Sequence, residues 1–448
     1  MRLNRRAWPV LAAAMLASPP HSASAQAAVP SATPAPSTTP APPAQSGAAA
    51  AATPDAASNP AAPPAPPPSF ASSGPWSFSG AITADLVGVP AGGTDHGIAV
   101  LTKTAISASY DGNSANLPGW SAQATLQFVH GGHPSARLIG DVQGADNLEA
   151  PNALKLYEAW IAKQWHDGKL GVKLGLTDLN VDFDTQQVAA LFLNSSDGVG
   201  GEFGHSGLNG PSIYPTTTIA VSGFVKPSEN WTLRAGVFDG VAGSPENPSA
   251  FLAIRPPSEA GLLLVAQVER QLAGGLRAEL GGWHYTAGLD ALHQTDAAGN
   301  PLHLRRDRGL YGLIEGPLLI GERTSLAGWV RAGIGDPVVQ RISGYVGGGL
   351  VASGLFPSRK EDQAGISVNH AIVDDPTQPP SLPGRKRAET AIELTYKAQL
   401  RDWLAVQPDA QVIVRPNGDP TIPTALVVGV RLSIALTRNL VRQVSSAP

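Results

Sequence analysis

The chain has 448 residues, a formal net charge of -4 and no cysteine. This charge gives no reason to expect a nucleic-acid partner, and the lack of cysteine excludes disulfides, thiolate metal sites and cysteine nucleophiles. After the N-terminus, no apolar run approaches the roughly 20 residues of a membrane helix. A membrane protein without membrane-spanning helices must satisfy its backbone hydrogen bonds between neighbouring strands, which requires a closed barrel.

The N-terminus has the pattern of a secretory signal peptide. Three arginines among the first six residues precede an apolar stretch at 7–17, and Ala23-Ser24-Ala25 supplies an A-x-A cleavage site. We therefore predict a signal peptide at 1–25. The following segment, 26–75, is almost entirely Ala, Pro, Ser and Thr, which predicts disorder. Two roles stay open for it: a solvated tail, or a tether that contacts the cell wall.

From residue 76 onward, short segments alternate between apolar and polar residues and are separated by turn residues, which predicts β-strands. The sixteen candidates are 76–87, 97–110, 120–130, 153–166, 169–176, 216–226, 230–239, 261–272, 275–285, 308–317, 323–333, 340–353, 361–371, 387–399, 402–414 and 423–436. An even number is typical of bacterial single-chain barrels. We predict an all-β fold, a transmembrane antiparallel β-barrel at 76–436 with a C-terminal tail at 437–448.

The alternation assigns a face to the charged residues. In 387–399, Ile392 and Leu394 share one face, whereas Glu389, Glu393 and Lys397 share the other. A charge facing lipid costs about 2–4 kcal/mol at the bilayer midplane, so the charged face of a barrel strand must line the lumen. A soluble β-sandwich shows the same period of two, and this pattern alone does not separate the two folds.

The connections between strands favour the barrel. All the long ones follow odd-numbered strands: 131–152, 177–215, 240–260 and 286–307. The strand ends on the opposite side carry tryptophans: Trp76, Trp120, Trp165, Trp231 and Trp403. Short turns at one rim, long loops at the other and an aromatic girdle are typical of outer-membrane barrels. With the N-terminus in the periplasm, the long loops are extracellular.

The connection 177–215 is long enough to expect a function, since loops beyond about 12–15 residues usually have one or are disordered. Val188, Leu191 and Phe192 follow Asp184 at helical spacing, which predicts a short helix with Asp184 as its N-cap. A long loop with apolar residues is best buried in the lumen of a barrel. Folded inward, it narrows the passage.

This connection also gathers carboxylates, at Asp178, Asp182, Asp184 and Glu202. Three roles are open: solvated or loop-shaping charges, acceptors for sugar hydroxyls, or a glycosidase pair, which needs two carboxylates about 5–9.5 Å apart. The sequence contains no zincin motif, nucleophile elbow or P-loop. We predict no cofactor, no metal and no catalytic residue. A secreted polysaccharide-acting enzyme or carbohydrate-binding β-protein is the alternative from another class.

Several blocks of sequence resemble the carbohydrate-selective porin family of the OprB type. They are KLYEAW at 155–160, GLTDLN at 175–180, FD at 183–184, LFLNSS at 191–196, SGLNGPSIYP at 206–215, PSENW at 227–231, FDG at 238–240, ETAIELTY at 389–396 and ALVVGVR at 425–431. The resemblance implies a sixteen-stranded barrel in the outer membrane of a Gram-negative bacterium. It also implies facilitated diffusion of monosaccharides such as glucose. The segment 26–75 has no counterpart in the family pattern. The chain also runs past its last strand to Pro448 and does not finish on the aromatic residue that barrel proteins often use in assembly.

The expected partners are small-molecule sugars and outer-membrane lipid, and a monomer and a homo-oligomer stay open. Weak contacts from charged and amide side chains suit a sugar that must enter and leave. The candidates for the pore constriction are Asp178, Asn180, Asp182, Asp184, Asn194, Glu202, Asn209, Arg234, Arg277, Glu279, Glu389, Glu393 and Arg431, with Lys103 and Lys397 as further lumen-face charges. The alternative for each is an ion pair that only holds the shape of the barrel.

Overall fold

The computed structural model describes residues 69–254, 261–374 and 387–436. The strands in these ranges are β1 (Ser69–Ser73), β2 (Trp76–Ala91), β3 (Gly97–Asp111), β4 (Trp120–Gly131), β5 (Ala153–Trp165), β6 (Leu170–Thr177), β7 (Thr218–Ser228), β8 (Trp231–Asp239), β9 (Leu262–Gln271), β10 (Arg277–Tyr285), β11 (Leu289–Thr295), β12 (Pro301–Leu304), β13 (Arg308–Ile320), β14 (Ser325–Gly335), β15 (Ile342–Ser353), β16 (Gln363–Val373), β17 (Arg387–Arg401), β18 (Leu404–Val414) and β19 (Ala425–Ala435).

The helical elements are short. They are the α-helical turn α1 (Gly201–Gly204), a π-helical turn at Ser135–Ile139, and 3₁₀ turns at Gly112–Ala115, Leu179–Val181, Ala189–Leu191, Ser195–Asp197, Ala273–Gly275 and Pro416–Gly418. In the part of the chain that the structure describes, no helix has the length and apolar character needed to cross a bilayer.

Strands β2–β10 and β13–β19 form a closed antiparallel barrel. Each predicted strand appears in it, and the predicted count of sixteen is confirmed. The barrel closes where β19 pairs with β2, which sets Arg431 opposite Asp85 across the seam. Closure leaves no unpaired sheet edge, as a strand-built membrane protein requires.

The two faces of the wall differ in the way that the alternation predicts. On β17, Ile392 and Leu394 point outward and are 39% and 61% exposed, whereas the inward Glu389 and Glu393 are buried. On β19, Leu426, Val428, Val430 and Leu432 are likewise exposed. The apolar residues thus form the outer surface and the charged residues line the inside, because lipid penalises exposed charge.

The connections define two rims. The long ones, at 132–152, 178–217, 240–261 and 286–307, join strand ends that lie at one rim, which we call the long-loop rim. The opposite, short-loop rim carries the five tryptophans at strand ends, and four of these, Trp76, Trp120, Trp165 and Trp231, are more than a third exposed. The predicted sorting of loop length and tryptophan by strand parity is therefore present in the fold.

The fold adds three strands to the prediction. Strand β1 pairs antiparallel with β2 through a turn at 74–75, so the end of the predicted disordered segment 26–75 is ordered. Strands β11 and β12 form a hairpin within the predicted loop 286–307. The predicted signal peptide at 1–25, the remainder of 26–75 up to residue 68, and the predicted tail at 437–448 lie outside the described residues.

Candidate functional site

The connection 178–217 is bound to the inner wall through its backbone. Glu315 of β13 accepts hydrogen bonds from the N–H groups of 187–188 at 3.0 and 2.9 Å. Glu393 of β17 accepts those of 193–194 at 2.7 and 2.9 Å. Each glutamate therefore fixes two consecutive peptide units, and a carboxylate acceptor makes such bonds stronger than neutral ones.

A third glutamate holds the connection 132–152 in the same way. Glu389 accepts the N–H groups of 142–143, both at 2.9 Å. Further along this connection, Asp146 lies 3.3 Å from Arg431, which binds Asp85 at 2.7 Å. Both long connections thus depend on charged side chains of the wall, and each such charge is occupied by its contact.

A further attachment is a buried ion triad on Arg331 of β14. The guanidinium binds Asp184 through two parallel hydrogen bonds of 2.8 and 2.7 Å and contacts Glu202 at 2.8 Å. None of the three side chains is exposed. Gly200 and Gly333 make room, because an added Cβ would lie 1.8 Å from the Arg331 guanidinium and from the Glu202 carboxylate, respectively.

Aromatic side chains complete this packing. Phe203 of α1 stacks on Trp283 with ring centroids 4.3 Å apart and lies parallel to Tyr311 at 5.8 Å. Arg331 lies over the rings of Tyr311 and Tyr345 at 5.4 and 5.2 Å. The connection therefore has an apolar core of its own against the inner wall, with the ion triad beside it.

A second group of charged side chains on the inner wall forms ion pairs within the group. Arg277 contacts Glu279, Glu315 and, at 3.6 Å, Glu269, and Arg234 contacts Glu269 at 3.5 Å. Arg277 and Glu279 are buried. These side chains brace neighbouring strands and the connection above them, since Arg277 also donates to a backbone carbonyl of that connection.

A partly exposed cluster remains where the connection faces β3, β5 and β6. Tyr157 donates to the carboxylate of Asp178. Lys173 binds Asp182 at 2.6 Å and lies 5.0 Å from the ring centroid of Trp160. Burial raises the pKa of Asp178 to about 6, against the opposing effect of the Tyr157 hydrogen bond.

Tyr214 extends this cluster toward β3. Its ring meets that of Tyr157 edge-on at 6.4 Å, and Lys103 lies 4.9 Å from its centroid. Its hydroxyl donates to the carbonyl of Leu148 at 2.6 Å, which ties the two long connections together. We call Lys103, Tyr157, Trp160, Lys173, Asp178, Asp182 and Tyr214 the tyrosine cluster. It joins aromatic faces, cations and carboxylates at one place in the lumen.

Local backbone features aim these side chains inward. Strand β5 has a bulge where Thr125 and Leu126 of β4 pair with Glu158 and Leu156, which leaves Tyr157 as the extra residue. Gly175 lets β6 approach Trp160, because an added Cβ would lie 2.6 Å from the Trp160 Cα, and its φ of +142° also favours glycine.

The structure separates the predicted site residues into groups. Asp178, Asn180 and Asp182 lie together at the partly exposed end of the connection. Buried residues that attach the connections to the wall are Asp184, Asn194, Glu202, Glu389 and Glu393. Those paired along the wall are Arg234, Arg277, Glu279 and Arg431. Asn209 is exposed elsewhere and donates to the carbonyl of Ala242 at 2.6 Å.

The structure corrects the helix that the sequence predicts after Asp184, and it adds three residues to the predicted site. The helix predicted after Asp184 is only the 3₁₀ turn at Ala189–Leu191, and Asp184 has a φ of +51° instead of capping it. The apolar residues there pack on the inner wall, not on a helix face. Tyr157, Trp160 and Tyr214 are not among the predicted site residues, although all three stand in the blocks that carry the family resemblance.

Comparison with known proteins agrees with this architecture. A family model described as the carbohydrate-selective porin, OprB family, matches residues 95–436. Porin B of Pseudomonas aeruginosa is 25% identical over 362 residues, which cover 70% of this chain and 77% of that protein. The high-pH structure of Pseudomonas putida OprB has the same fold, with a TM-score of 0.67 at 20% identity, covering 80% of this chain and 94% of that one. Its low-pH structure gives 0.52 at 15% identity, covering 80% and 92%.

Proposed function

The chain belongs to the carbohydrate-selective porin family of the OprB type, and we propose that it passes monosaccharides such as glucose across the outer membrane by facilitated diffusion. The passage runs along the partly exposed side of the tyrosine cluster, where the connection 178–217 contacts residues of β3, β5 and β6. The tyrosine cluster lines it. This assignment rests on one observation: aromatic and charged side chains converge at a partly exposed end of the connection.

The chemistry of the tyrosine cluster suits a neutral polyol. Tyrosine and tryptophan rings offer flat apolar faces to the C–H side of a sugar ring, while carboxylates accept from its hydroxyls and lysines donate to them. Each net hydrogen bond contributes only about 0.5–1.5 kcal/mol. Several weak contacts favour entry without preventing release, which is what transport requires.

The attachments of the connection 178–217 support the proposal that it narrows the lumen. Its backbone is bound to β13 and β17, and its side chains are bound to β14. These attachments hold it on one side of the lumen. We expect the remaining gap, bordered by Lys103, Lys173 and Tyr214, to set the largest solute that passes.

The orientation follows from the rims. The short-loop rim faces the periplasm, where the exposed tryptophans meet the lipid headgroups. The long-loop rim faces the outside, as in other single-chain barrels. Sugars thus enter past the long connections and reach the tyrosine cluster before the polar lower wall, which includes Gln123, Thr125 and Ser107.

The glycosidase alternative depended on paired carboxylates in the same connection. Asp184 and Glu202 both bind Arg331 and are inaccessible to a substrate. Asp178 and Asp182 are engaged by Tyr157 and Lys173. The burial of Asp184 and Glu202 and the pairing of Asp178 and Asp182 support passage of a sugar over its hydrolysis.

The direct test is liposome swelling with purified full-length protein. We expect faster swelling in glucose than in an isosmotic disaccharide, because the narrowed gap discriminates by size. Heat-denatured protein is the control and should leave the liposomes tight. Equal rates for the two sugars would indicate a general pore, and no swelling with a folded, lipid-embedded protein would refute the transport function.

The contribution of the tyrosine cluster can be measured separately. Tyr214→Leu removes a ring face and is expected to raise the half-saturating glucose concentration by about 3–10-fold, the effect of one or two lost contacts. Radiolabelled glucose uptake into liposomes gives this value. Tyr110→Leu is the matched control, since Tyr110 packs against Trp76 near the short-loop rim, away from the cluster. Unchanged saturation in Tyr214→Leu would exclude the cluster as the binding site.

A further inference from the structure

The outer surface of the barrel has a concave site below the long-loop rim, on β9, β10, β13 and β14. We propose that this groove binds the lipid A part of lipopolysaccharide, with acyl chains in the groove and a phosphate at its upper end. The proposal concerns the lipid-facing surface and does not involve the tyrosine cluster. It depends on the outward orientation of the long-loop rim.

The groove exists because small residues interrupt an otherwise protruding apolar wall. Its floor includes Ala266 and Gly282, which are direct cross-strand partners. Leu264, Leu310 and Ile334 border it and are 38%, 57% and 61% exposed. Its volume is about 900 Å³, within the roughly 300–1,000 Å³ typical of sites for small organic ligands.

Cationic side chains stand at the end of the groove that lies nearest the long-loop rim. Arg308 begins β13 and pairs across the sheet with His284, and both line the groove. Asp336 also lines it, but this carboxylate is buried and bound by Arg306 at 2.7 Å. Among the described residues, no carboxylate contacts Arg308. Its guanidinium is therefore available to an external anion.

An apolar groove with a cationic side chain at one end indicates a ligand that has both acyl chains and an anionic group. Guanidinium binds phosphate through two parallel hydrogen bonds, and basic residues next to apolar membrane surfaces recognise lipid headgroups. In an outer-membrane protein, the lipid of the external leaflet that has both a phosphate and several acyl chains is lipid A. Charge complementarity with Arg308 and the lipid-facing position of the groove together favour lipid A as the occupant.

Native mass spectrometry of the full-length protein in detergent tests the proposal. The probes are bisphosphorylated lipid A, the same lipid without phosphates, and phosphatidylglycerol. We expect bisphosphorylated lipid A to bind about tenfold more tightly than the other two, the worth of one charge-assisted hydrogen-bonded contact. Arg308→Gln should remove this preference. Ala266→Leu, which fills the floor, should weaken binding of both forms of lipid A.

The matched control is Ala84→Leu, at a position on β2 between the outward Ile82 and Leu86 and far from the groove in strand order. It should bind lipid A as the wild type does. Heat-modified gel mobility confirms that each variant is folded. Retained phosphate preference in Arg308→Gln, or equal binding of phosphatidylglycerol, would overturn the proposal. So would cross-linking of groove residues to a second protein copy in the absence of lipid.

Discussion

Arg331→Met is expected to release the connection 178–217 from the barrel wall. It leaves the carboxylates of Asp184 and Glu202 buried without a countercharge, and removal of one partner from a buried ion pair costs about 3–5 kcal/mol. The backbone hydrogen bonds of the strands do not depend on Arg331. The least costly relief is therefore for the connection to leave the wall and hydrate its carboxylates, while the barrel stays closed.

Two measurements follow from this. The free energy of unfolding in lipid vesicles, measured by urea titration, should fall. Single-channel conductance should change because the connection leaves the position in which we propose that it narrows the lumen. Discrimination between glucose and a disaccharide should decrease.

The controls separate lost charge from lost geometry. The triple variant Arg331→Met, Asp184→Asn, Glu202→Gln removes all three charges and should recover most of the lost stability, since neutral groups cost less to bury than unpaired ions. Arg331→Lys keeps one positive charge but lacks the fork that binds two carboxylates, and should give an intermediate result. If Arg331→Met leaves stability, conductance and discrimination at wild-type values, the triad does not hold the connection.

Glu315→Gln is expected to loosen the same connection at a defined point. Residues 187–188 lose a charged acceptor for both N–H groups. Hydrogen bonds to charged groups contribute about 1.5–3 kcal/mol each, so local opening should become about 10–100-fold more frequent. Hydrogen exchange followed by mass spectrometry detects this as faster exchange of peptides that cover these residues. Arg277 keeps its contacts with Glu269 and Glu279 in the variant.

Glu389→Gln provides the comparison. This change affects the same kind of attachment but at 142–143 of the other long connection. It should accelerate exchange there and leave 187–188 protected. The reverse pattern, or acceleration of both connections by either variant, would mean that the two connections open together and not at separate glutamate contacts.

The outward and inward faces of the strands could be predicted from the sequence because they depend on neighbours two residues away. Ile392 and Leu394 alternate with Glu393, and lipid tolerates only one of these faces. The same reasoning placed Glu389, Glu393 and Arg431 inside. It did not distinguish a charge that meets solute from a charge that binds another part of the protein.

That distinction depends on partners far apart in the chain. Arg331 lies 147 positions from Asp184 and 129 from Glu202, and Glu393 lies 200 positions from Leu193. The alternation of apolar and polar residues within one strand does not predict pairs between residues that are so far apart in the chain. The helix predicted after Asp184 is wrong for the same reason. Val188, Leu191 and Phe192 are buried against the barrel wall, and their spacing in the sequence is the same as that of residues buried on one face of a helix.

The sequence by itself determined the strand number, the direction of each face, the sorting of loops and tryptophans, and the family. All of these follow from short-range alternation and from recognisable blocks. Only the tertiary structure decided which lumen charges are occupied and which side chains stay accessible. Closure of the barrel brings the wall into contact with the connection 178–217. Most of the carboxylates at this contact are paired with other side chains or with backbone N–H groups. The tyrosine cluster remains partly exposed because it lies at the end of the connection, where contacts with β3, β5 and β6 bury its side chains only in part.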